Sequence, residues 1–205
     1  MTFQGFHPQD FETFQIEGLE ARMQAIQERI QPKFRQIGPY VTEELSLMLQ
    51  KEMYLHIAKH ARRTKNPPND TWLAVADNKR GYKKHPHFEI GLFDSHVFIW
   101  LAYIYELPEK ESIAEKFMEN KHLITSLPHS FVLSIDHTKK DVLPLKEETI
   151  ESALTRFRDV KKGEFLLGQT FDKDEPLLSR GEDFLHEAIV TFEKLVPLYE
   201  LSLEG

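Results

Sequence analysis

Apolar residues recur at helical spacing near the start of the chain. The spacing of Leu19, Met23, Ile26 and Ile30 by four, three and four residues predicts an amphipathic helix. Pro32 is expected to end or kink it, because proline lacks the backbone N–H that an inner helical turn uses. A second helix is expected after Gly38 and Pro39. The first fifty residues are therefore predicted to be mainly helical.

The pattern then changes to short runs rich in aromatic and β-branched residues, separated by turn residues. This pattern predicts four strands, at Met53–His60, Thr71–Asp77, His87–Phe93 and His96–Tyr105. The last run has almost no polar alternation, which is typical of a central strand covered on both faces. Asp94 and Ser95 form a connection short enough for a hairpin, so antiparallel pairing is expected.

Helices and strands alternate in the remaining chain. We predict a helix from Pro108 to about Leu127, a strand at Phe131–Ile135, a helix at Ile150–Val160, a strand at Glu164–Phe171 and a long C-terminal helix. Ser179 and Glu182 have the spacing of a capping box for that last helix, and Pro197 is expected to kink or end it. The layout predicts an α+β fold with a mainly antiparallel sheet, formed as a single domain over residues 1–205.

Composition narrows the chemistry. The 205 residues include no cysteine, which excludes disulfides, thiolate metal sites and cysteine nucleophiles. The longest apolar run, Val97–Tyr105, is about half the length that a membrane-spanning helix needs. No signal-like segment opens the chain, so we expect a cytoplasmic protein without a membrane partner.

Positive charge is concentrated in one part of an acidic chain. The net charge is -7, yet residues 51–87 contain nine Lys or Arg and three acids, a local balance of +6. The rest carries 17 cations and 30 acids, or -13. Such asymmetry is typical of an anion-binding region, although a basic stretch also folds against its own acidic neighbours.

Four of these nine cations lie in NKRGYKKHPHF, residues 78–88, which we name the second basic segment. Arg80 and Gly81 are predicted at the tip of a connection between two strands, with Lys83 beside them. A glycine at a turn tip adopts positive φ easily and offers its N–H to an oxyanion, and the cations add charge-assisted hydrogen bonds. The competing interpretation is a solvated hairpin loop whose lysines protect a sheet edge.

Four others of the nine cations lie in KHARRTKNPPND, residues 59–70, which we name the first basic segment. Its cations are Lys59, Arg62, Arg63 and Lys65. If the neighbouring strands pair, both segments are expected at one end of the sheet. Trp72, Tyr82 and Phe88 would then offer faces on which a base or ring stacks.

Histidines are the main candidates for proton transfer or metal binding. His56 and His60 are four residues apart, but Ile57 stands where a metalloprotease motif has glutamate, so that motif is absent. A four-histidine site with His85 and His87 is geometrically allowed on strands. No acidic ligand pair accompanies it, and we predict no metal site.

Other polar residues have ordinary alternatives. Asp136 and His137 are adjacent, so on an extended chain their side chains point apart and neither orients the other. Glu17, Arg22 and Glu89 are candidate partners of the cations. No phosphate-binding loop, dinucleotide fingerprint or nucleophile elbow is present.

The sequence resembles one family. The block HIAKHARRTKNPPNDTWLAVADNKRGYKKHPHFEIGL, with DFETFQIEGLEARM and VKKGEF, resembles the bacterial domain of unknown function 1054, also called uncharacterised protein family 0637. The likeness covers nearly the whole chain, with Glu89 where the family pattern has Gln more often and His85 at a variable position. It implies a sheet topology similar to that of biotin ligases and class II synthetases, and no assigned activity, and fold alone does not give chemistry.

Three functional hypotheses follow. The leading one is a binder of a phosphorylated ligand, either a nucleotide or a nucleic-acid backbone, and the cofactor, if any, is unknown. The ligand-binding residues are predicted to be His56, Lys59, His60, Arg62, Arg63, Arg80, Gly81, Tyr82, Lys83 and His87. The second is a hydrolase or transferase of a phosphorylated substrate with His56, His60 or His87 as general base. The third is a non-catalytic protein adaptor.

Overall fold

A computed structural model describes residues 3–204 and shows seven strands and seven α-helices in that part of the chain. The helices are α1 (Pro8–Glu12), α2 (Leu19–Ala25), α3 (Gln31–Met48), α4 (Lys110–Glu119), α5 (Lys121–Thr125), α6 (Glu147–Asp159) and α7 (Gly181–Leu203). The strands are β1 (Tyr54–Ile57), β2 (Asp70–Ala76), β3 (His87–Phe93), β4 (His96–Tyr103), β5 (Val132–Ser134), β6 (Leu143–Pro144) and β7 (Phe165–Asp172). No helix in this range is both long enough and apolar enough to cross a bilayer.

The strands form one antiparallel sheet in the order β1-β2-β3-β4-β7-β5-β6. β4 lies in the middle of the sheet, and Val97–Tyr103 is buried throughout, as its uninterrupted apolar sequence predicts. A two-residue turn at Asp94 and Ser95 joins β3 to β4. The α+β class and the antiparallel sheet are confirmed.

The two faces of the sheet differ in composition. One face supplies Leu73, Val75, Ile90, Ile99 and Leu167 to a large core shared with the helices. The other face carries a smaller apolar cluster around Phe98, Trp100 and Leu166.

The second face also carries polar residues at its β1 side. Strand registers place His56, Glu89 and Trp100 in one row across β1, β3 and β4, with Gly168 next in that row. We name this side of the sheet the polar face. It is the surface that the basic segments adjoin.

The N-terminal helices differ from the prediction at two prolines. Helical structure continues past Pro32, because a π-helical turn at Ile26–Ile30 precedes it, and a wider turn accommodates a residue without an N–H. Pro39 lies inside α3 rather than before a new helix. Gly38 is packed so closely that an added Cβ would lie 2.5 Å from a Leu55 methyl. The predicted end of the helix at Pro32 and the predicted start of a new helix after Pro39 were therefore wrong.

Three other boundaries also differ from the prediction. Ser179 does not cap α7, because its hydroxyl donates to Pro176 O and the helix begins at Gly181. Pro197 lies within α7, which continues to Leu203. The helix predicted after Pro108 is divided at Asn120, whose φ of -112° and ψ of 33° leave the helical region.

Candidate functional site

Three loops meet over the polar face at the side chain of Trp72. From the first basic segment, the His60 ring packs edge-on against the indole at 5.5 Å between centroids. From the second, Tyr82 Oη accepts the indole N–H at 3.1 Å. From the loop after β5, the His137 ring lies 6.1 Å away. Trp72 thus fixes the relative positions of all three loops.

The two basic segments line adjoining cavities. The larger cavity, of about 680 Å³, lies between β1 and the second segment and is lined by Lys59, Arg80, Tyr82, Lys83 and Lys84 among others. The smaller, of about 340 Å³, is lined by Lys59, Arg62, Arg63, Tyr82, Lys83 and His137 among others. Lys59, Tyr82 and Lys83 line both. The two segments are therefore close together, but not at one end of the sheet as predicted, because β2 connects to the first segment at Asp70 and to the second beyond Ala76. They meet because the second segment folds back to His56 and Trp72. We name the two adjoining cavities the cleft.

Contacts across the cleft hold its two sides together. His56 Nε2 lies 2.9 Å from Asn78 O, and the His56 ring is 5.4 Å from that of Tyr82. Behind the first segment, the buried Arg22 guanidinium donates to Pro68 O at 3.0 Å and to Asn69 Oδ1 at 3.1 Å. Arg22 thus anchors the first basic segment through these hydrogen bonds and does not act as a partner of its cations.

Most cations of the cleft have no acidic partner. Within residues 3–204, Lys59, Arg62, Arg63, Arg80 and Lys84 form no ion pair, and no resolved contact joins Glu17 to them. Lys83 is the exception, with Nζ 3.3 Å from Glu106 Oε1.

One carboxylate beside the second segment has two basic partners. Asp77 pairs with Lys51 at 2.5 Å and with His85 at 3.2 Å. The second segment is thus partly balanced, whereas the first presents its cations unpaired.

The three histidines proposed as general bases have different environments. His87 is completely buried, with Nδ1 2.7 Å from His85 O and Nε2 3.0 Å from Glu89 Oε1, so both nitrogens are engaged. Burial lowers the pKa of His60 to about 4, with the charges of Arg63 and Lys83 adding to the effect. Burial also lowers the pKa of His56, although its contact with Asn78 O opposes the shift.

His60 also has an unusual backbone conformation. Its φ is 48°, in the left-handed region that non-glycine residues adopt infrequently. His60 lies beyond the end of β1. It is therefore not on the same strand face as His56, although the predicted strand to His60 implied that it would be. Its Nε2 reaches Thr71 Oγ1 at 3.1 Å, which ties the turned backbone to β2.

Acidic groups lie beneath the cations. Asp70, Glu89 and Glu164 are each 5% exposed or less. Burial raises the pKa of Asp70 to about 6, while His137 and Arg63 oppose the shift and Glu89 adds to it. The cleft therefore combines a positive rim with buried carboxyl groups, and it differs from a purely basic patch.

His137 forms the most defined polar contact of the site. Its Nδ1 lies 2.9 and 2.8 Å from the two Glu164 oxygens, and its backbone N–H donates to Glu164 Oε2 at 2.8 Å. Burial alone would lower the pKa of His137. The hydrogen bond and charge of Glu164, with the charges of Glu89 and Asp70, raise it above its ordinary value.

Asp136, His137 and Glu164 are the one group of three metal-type ligands that residues 3–204 bring together, with donor atoms within 4.8 Å of one another. These donors are already engaged. Asp136 Oδ1 accepts from the backbone N–H and hydroxyl of Thr138, and Glu164 accepts three N–H groups, two from His137 and one from Tyr105. The arrangement is that of a carboxylate orienting an imidazole. The four histidines considered from the sequence form no such group there.

Comparison with known proteins places the chain in a family. A family model described as a domain of unknown function, DUF1054, matches residues 6–199. A UPF0637 protein of Oceanobacillus iheyensis is 58% identical over 201 residues, covering 98% of each chain. One from Shouchella clausii is 59% identical over 204 residues, covering 99% of this chain and 97% of that protein. A Listeria monocytogenes UPF0637 protein is 53% identical over the full length of both.

This chain belongs to the DUF1054 family. The resemblance of the basic block to that family is thereby confirmed. The names of these relatives state no activity, substrate or partner, so function has to be argued from the cleft.

Sequence reasoning missed the best-oriented histidine of the DUF1054 cleft. The side chains of Asp136 and His137 were expected to point apart, yet their ligand atoms lie within 4.8 Å of each other, and the carboxylate that hydrogen-bonds to the His137 ring is Glu164, 27 residues later. The contact depends on the antiparallel pairing of β5 with β7, which brings the residue before β7 beside the residues after β5, and no local sequence signal marks it. Gly81 also differs from expectation, since positive φ occurs at Gly5 and Gly18 but not at Gly81.

Replacing Asp70 by Asn is expected to stabilise this DUF1054 protein at high pH. The pKa of Asp70 rises from 3.8 to about 6 on folding. The folded state thus has extra stability below pH 3.8 that is lost as pH rises through 6, where a buried charge must form. Asp70→Asn should add about 1–2 kcal/mol to the free energy of unfolding at pH 8 and close to none at pH 3.5.

Urea unfolding at both pH values checks this, with the exposed Asp141→Asn as control. Equal effects of Asp70→Asn at the two pH values would contradict the assignment.

Proposed function

We propose that this protein binds a phosphorylated ligand of nucleotide size in the cleft. Arg62, Arg63, Arg80 and Lys83 hold the phosphate, and Lys59 adds positive charge. The supporting observation is that cations from both basic segments line two adjoining cavities, and most of them lack an acidic partner within the described residues. Cavities of about 340 and 680 Å³ fall in the range of small-molecule sites.

The electrostatics favour an anion with a phosphate-like geometry. An arginine guanidinium donates two parallel hydrogen bonds to phosphate oxygens, and lysine adds a mobile point charge. The fields of Arg63 and Lys83 already meet at His60, where both lower its pKa. A phosphate between the two segments would relieve this repulsion between cations.

The remainder of the ligand is matched by ring surfaces. Trp72 and Tyr82 are only partly buried at the cleft, so each offers a face for stacking a planar ring. Gly81, His56, His60 and His87 shape the wall in this proposal, and His87, with both nitrogens engaged, does so by packing.

A nucleic-acid backbone is the second candidate for the same cations. Several phosphate contacts along a polymer would give a steep dependence of affinity on salt, whereas one nucleotide gives a shallow dependence. The adaptor hypothesis gains no comparable support, because the cleft is recessed and lined by unpaired cations rather than being a broad apolar surface.

Titration calorimetry with adenosine 5′-monophosphate tests the proposal. The nucleotide is expected to bind at least about 30-fold more tightly than adenosine, because charge-assisted phosphate contacts contribute roughly 2 kcal/mol or more. Its affinity should fall less than about tenfold between 50 and 200 mM salt, which is less than a polyanion loses.

Equal affinity for the nucleotide and the nucleoside would overturn the phosphate assignment. A single-stranded oligonucleotide binding more tightly than the mononucleotide, with a steep salt dependence, would replace the small ligand with nucleic acid.

A further inference from the structure

We infer that the cleft is catalytic and hydrolyses a phosphate ester, with His137 as the proton-transfer residue and Glu164 as the residue that positions it. This inference rests on the proposed binding of a phosphorylated ligand. It differs from the general bases expected from the sequence, which were His56, His60 and His87.

The hydrogen bonds of Glu164 fix the orientation of the His137 ring. The Glu164 side chain is 3% exposed, and both its oxygens face His137 Nδ1 at 2.8–2.9 Å. The carboxylate is itself held by the backbone N–H groups of His137 and Tyr105, at 2.8 and 3.3 Å. A carboxylate only accepts, so Nδ1 carries the proton and the neutral ring has its lone pair on Nε2.

The lone pair on His137 Nε2 is available to accept a proton. His137 Nε2 has no hydrogen-bond partner among residues 3–204, and the side chain is 21% exposed. The ring lines the smaller cavity together with Arg62, Arg63 and Lys83. A base with an unoccupied nitrogen thus adjoins the cations that are proposed to hold phosphate.

The other histidines of the cleft are less suited to this role. Both nitrogens of His87 are engaged, and burial keeps the pKa of His60 near 4, which makes it a weak base. His56 uses Nε2 with Asn78 O and has no carboxylate on its other nitrogen.

His85 also has a carboxylate on Nδ1, with Asp77 Oδ1 at 3.2 Å, but it lines the larger cavity, which Arg62 and Arg63 do not line. Of the two histidines that line the smaller cavity in the described chain, His60 and His137, only His137 has an orienting carboxylate.

The reaction needs only water as co-reactant. Water attacks phosphorus, and its oxygen forms the new P–O bond while its proton passes to His137 Nε2. The P–O bond to the alcohol or phenol breaks, and the leaving oxygen receives the proton from His137 or from solvent. Arg63 and Lys83 neutralise the charge on the non-bridging oxygens, in the way that positive groups stabilise phosphoryl transfer.

The charged groups around His137 set the pH dependence. Glu164 contacts Nδ1, and Glu89, Asp70 and Asp136 interact with the ring at longer range. These carboxylates favour the imidazolium, so the pKa of His137 lies above its ordinary value. The reaction uses the neutral ring, so kcat should rise with pH as His137 loses its proton. The midpoint of this rise should lie above pH 6.5.

Hydrolysis of p-nitrophenyl phosphate and bis(p-nitrophenyl) phosphate tests the inference, with EDTA present to exclude adventitious metal. The wild-type chain is expected to hydrolyse at least one of them, and His137→Gln should lower kcat at least about 100-fold. Affinity for adenosine 5′-monophosphate should change less than threefold in that variant. His122→Gln, at an exposed position of α5, is the matched control and should leave kcat unchanged.

Glu164→Gln provides a second readout that a merely structural role would not change. It keeps the side-chain shape but removes the charge, so kcat should fall about tenfold or more and the ascending limb of the pH profile should move to lower pH. If His137→Gln does not fold, the kcat and the pH profile of Glu164→Gln test the role of His137 instead.

The outcomes separate the two proposals. If adenosine 5′-monophosphate binds but the wild-type chain hydrolyses neither ester, catalysis is overturned and binding stands. Turnover that survives His137→Gln, or that disappears in EDTA, also overturns the role of His137. If the wild-type chain does not bind adenosine 5′-monophosphate, the proposed function is overturned instead.

Discussion

Reversing one cation on each side of the cleft, with Arg63→Glu and Lys83→Glu together, is expected to weaken nucleotide binding at least about 100-fold. Each charge-assisted contact contributes roughly 1.5–3 kcal/mol, and the introduced carboxylates add repulsion. Both residues line the smaller cavity, and both charges act on His60. The two single variants should also interact, because their side chains would share one phosphate.

A matched pair of exposed cations distinguishes local contacts from net charge. Lys146 and Lys194 lie outside both cavities, so Lys146→Glu with Lys194→Glu makes the same change in net charge. Calorimetry should show less than a threefold change in affinity for that control. Equal weakening by both pairs would mean that binding responds to the overall charge and that the cleft has no special part in it.

Gly168→Ala is expected to destabilise the fold by about 3 kcal/mol or more. Gly168 lies opposite Trp100 in the centre of the sheet, in the row that contains His56 and Glu89. A Cβ there would lie 1.9 Å from Ile99 O and 3.0 Å from the indole of Trp100. The obstructing atom belongs to the backbone, so the β4–β7 ladder must separate to admit even one methyl group.

Gly81→Ala is the matched control for this prediction. An added Cβ at Gly81 meets no atom within 4 Å, and its φ is not positive. Its free energy of unfolding should change by less than about 0.5 kcal/mol. If chemical denaturation gives similar losses for both variants, the close packing of β4 against β7 is not what limits residue 168.

The sheet was predictable where local pattern and tertiary position agree. β3 has the predicted bounds, and β4 begins at the predicted residue, because an apolar run bounded by a two-residue turn can pair in few ways. The helix through Pro32 and Pro39 was not predictable from proline chemistry alone. Its continuity depends on a π turn and on packing of Gly38 against Leu55, and neither leaves a local sequence signal.

The candidate site was predictable in its charge and less so in its chemistry. Clustered cations show directly in the sequence, but antiparallel pairing of β1, β2 and β3 places the two basic segments at opposite ends of β2. They come together because the second segment folds back over the sheet to Trp72 and His56, which the sequence pattern does not predict. The contact of His137 with Glu164 depends on β5 pairing with β7 across an intervening helix. Such a long-range pair has no fixed spacing, so a search of local motifs does not find it.

We propose that one phosphorylated ligand contacts both basic segments at once. Amide chemical shifts of the ¹⁵N-labelled chain, recorded during titration with adenosine 5′-monophosphate, test this directly. The amide signals of residues 59–63 and 80–84 are expected to shift together along one binding curve, with the Trp72 indole N–H signal moving in parallel. Shifts confined to one segment, or two segments that saturate at different concentrations, would contradict it.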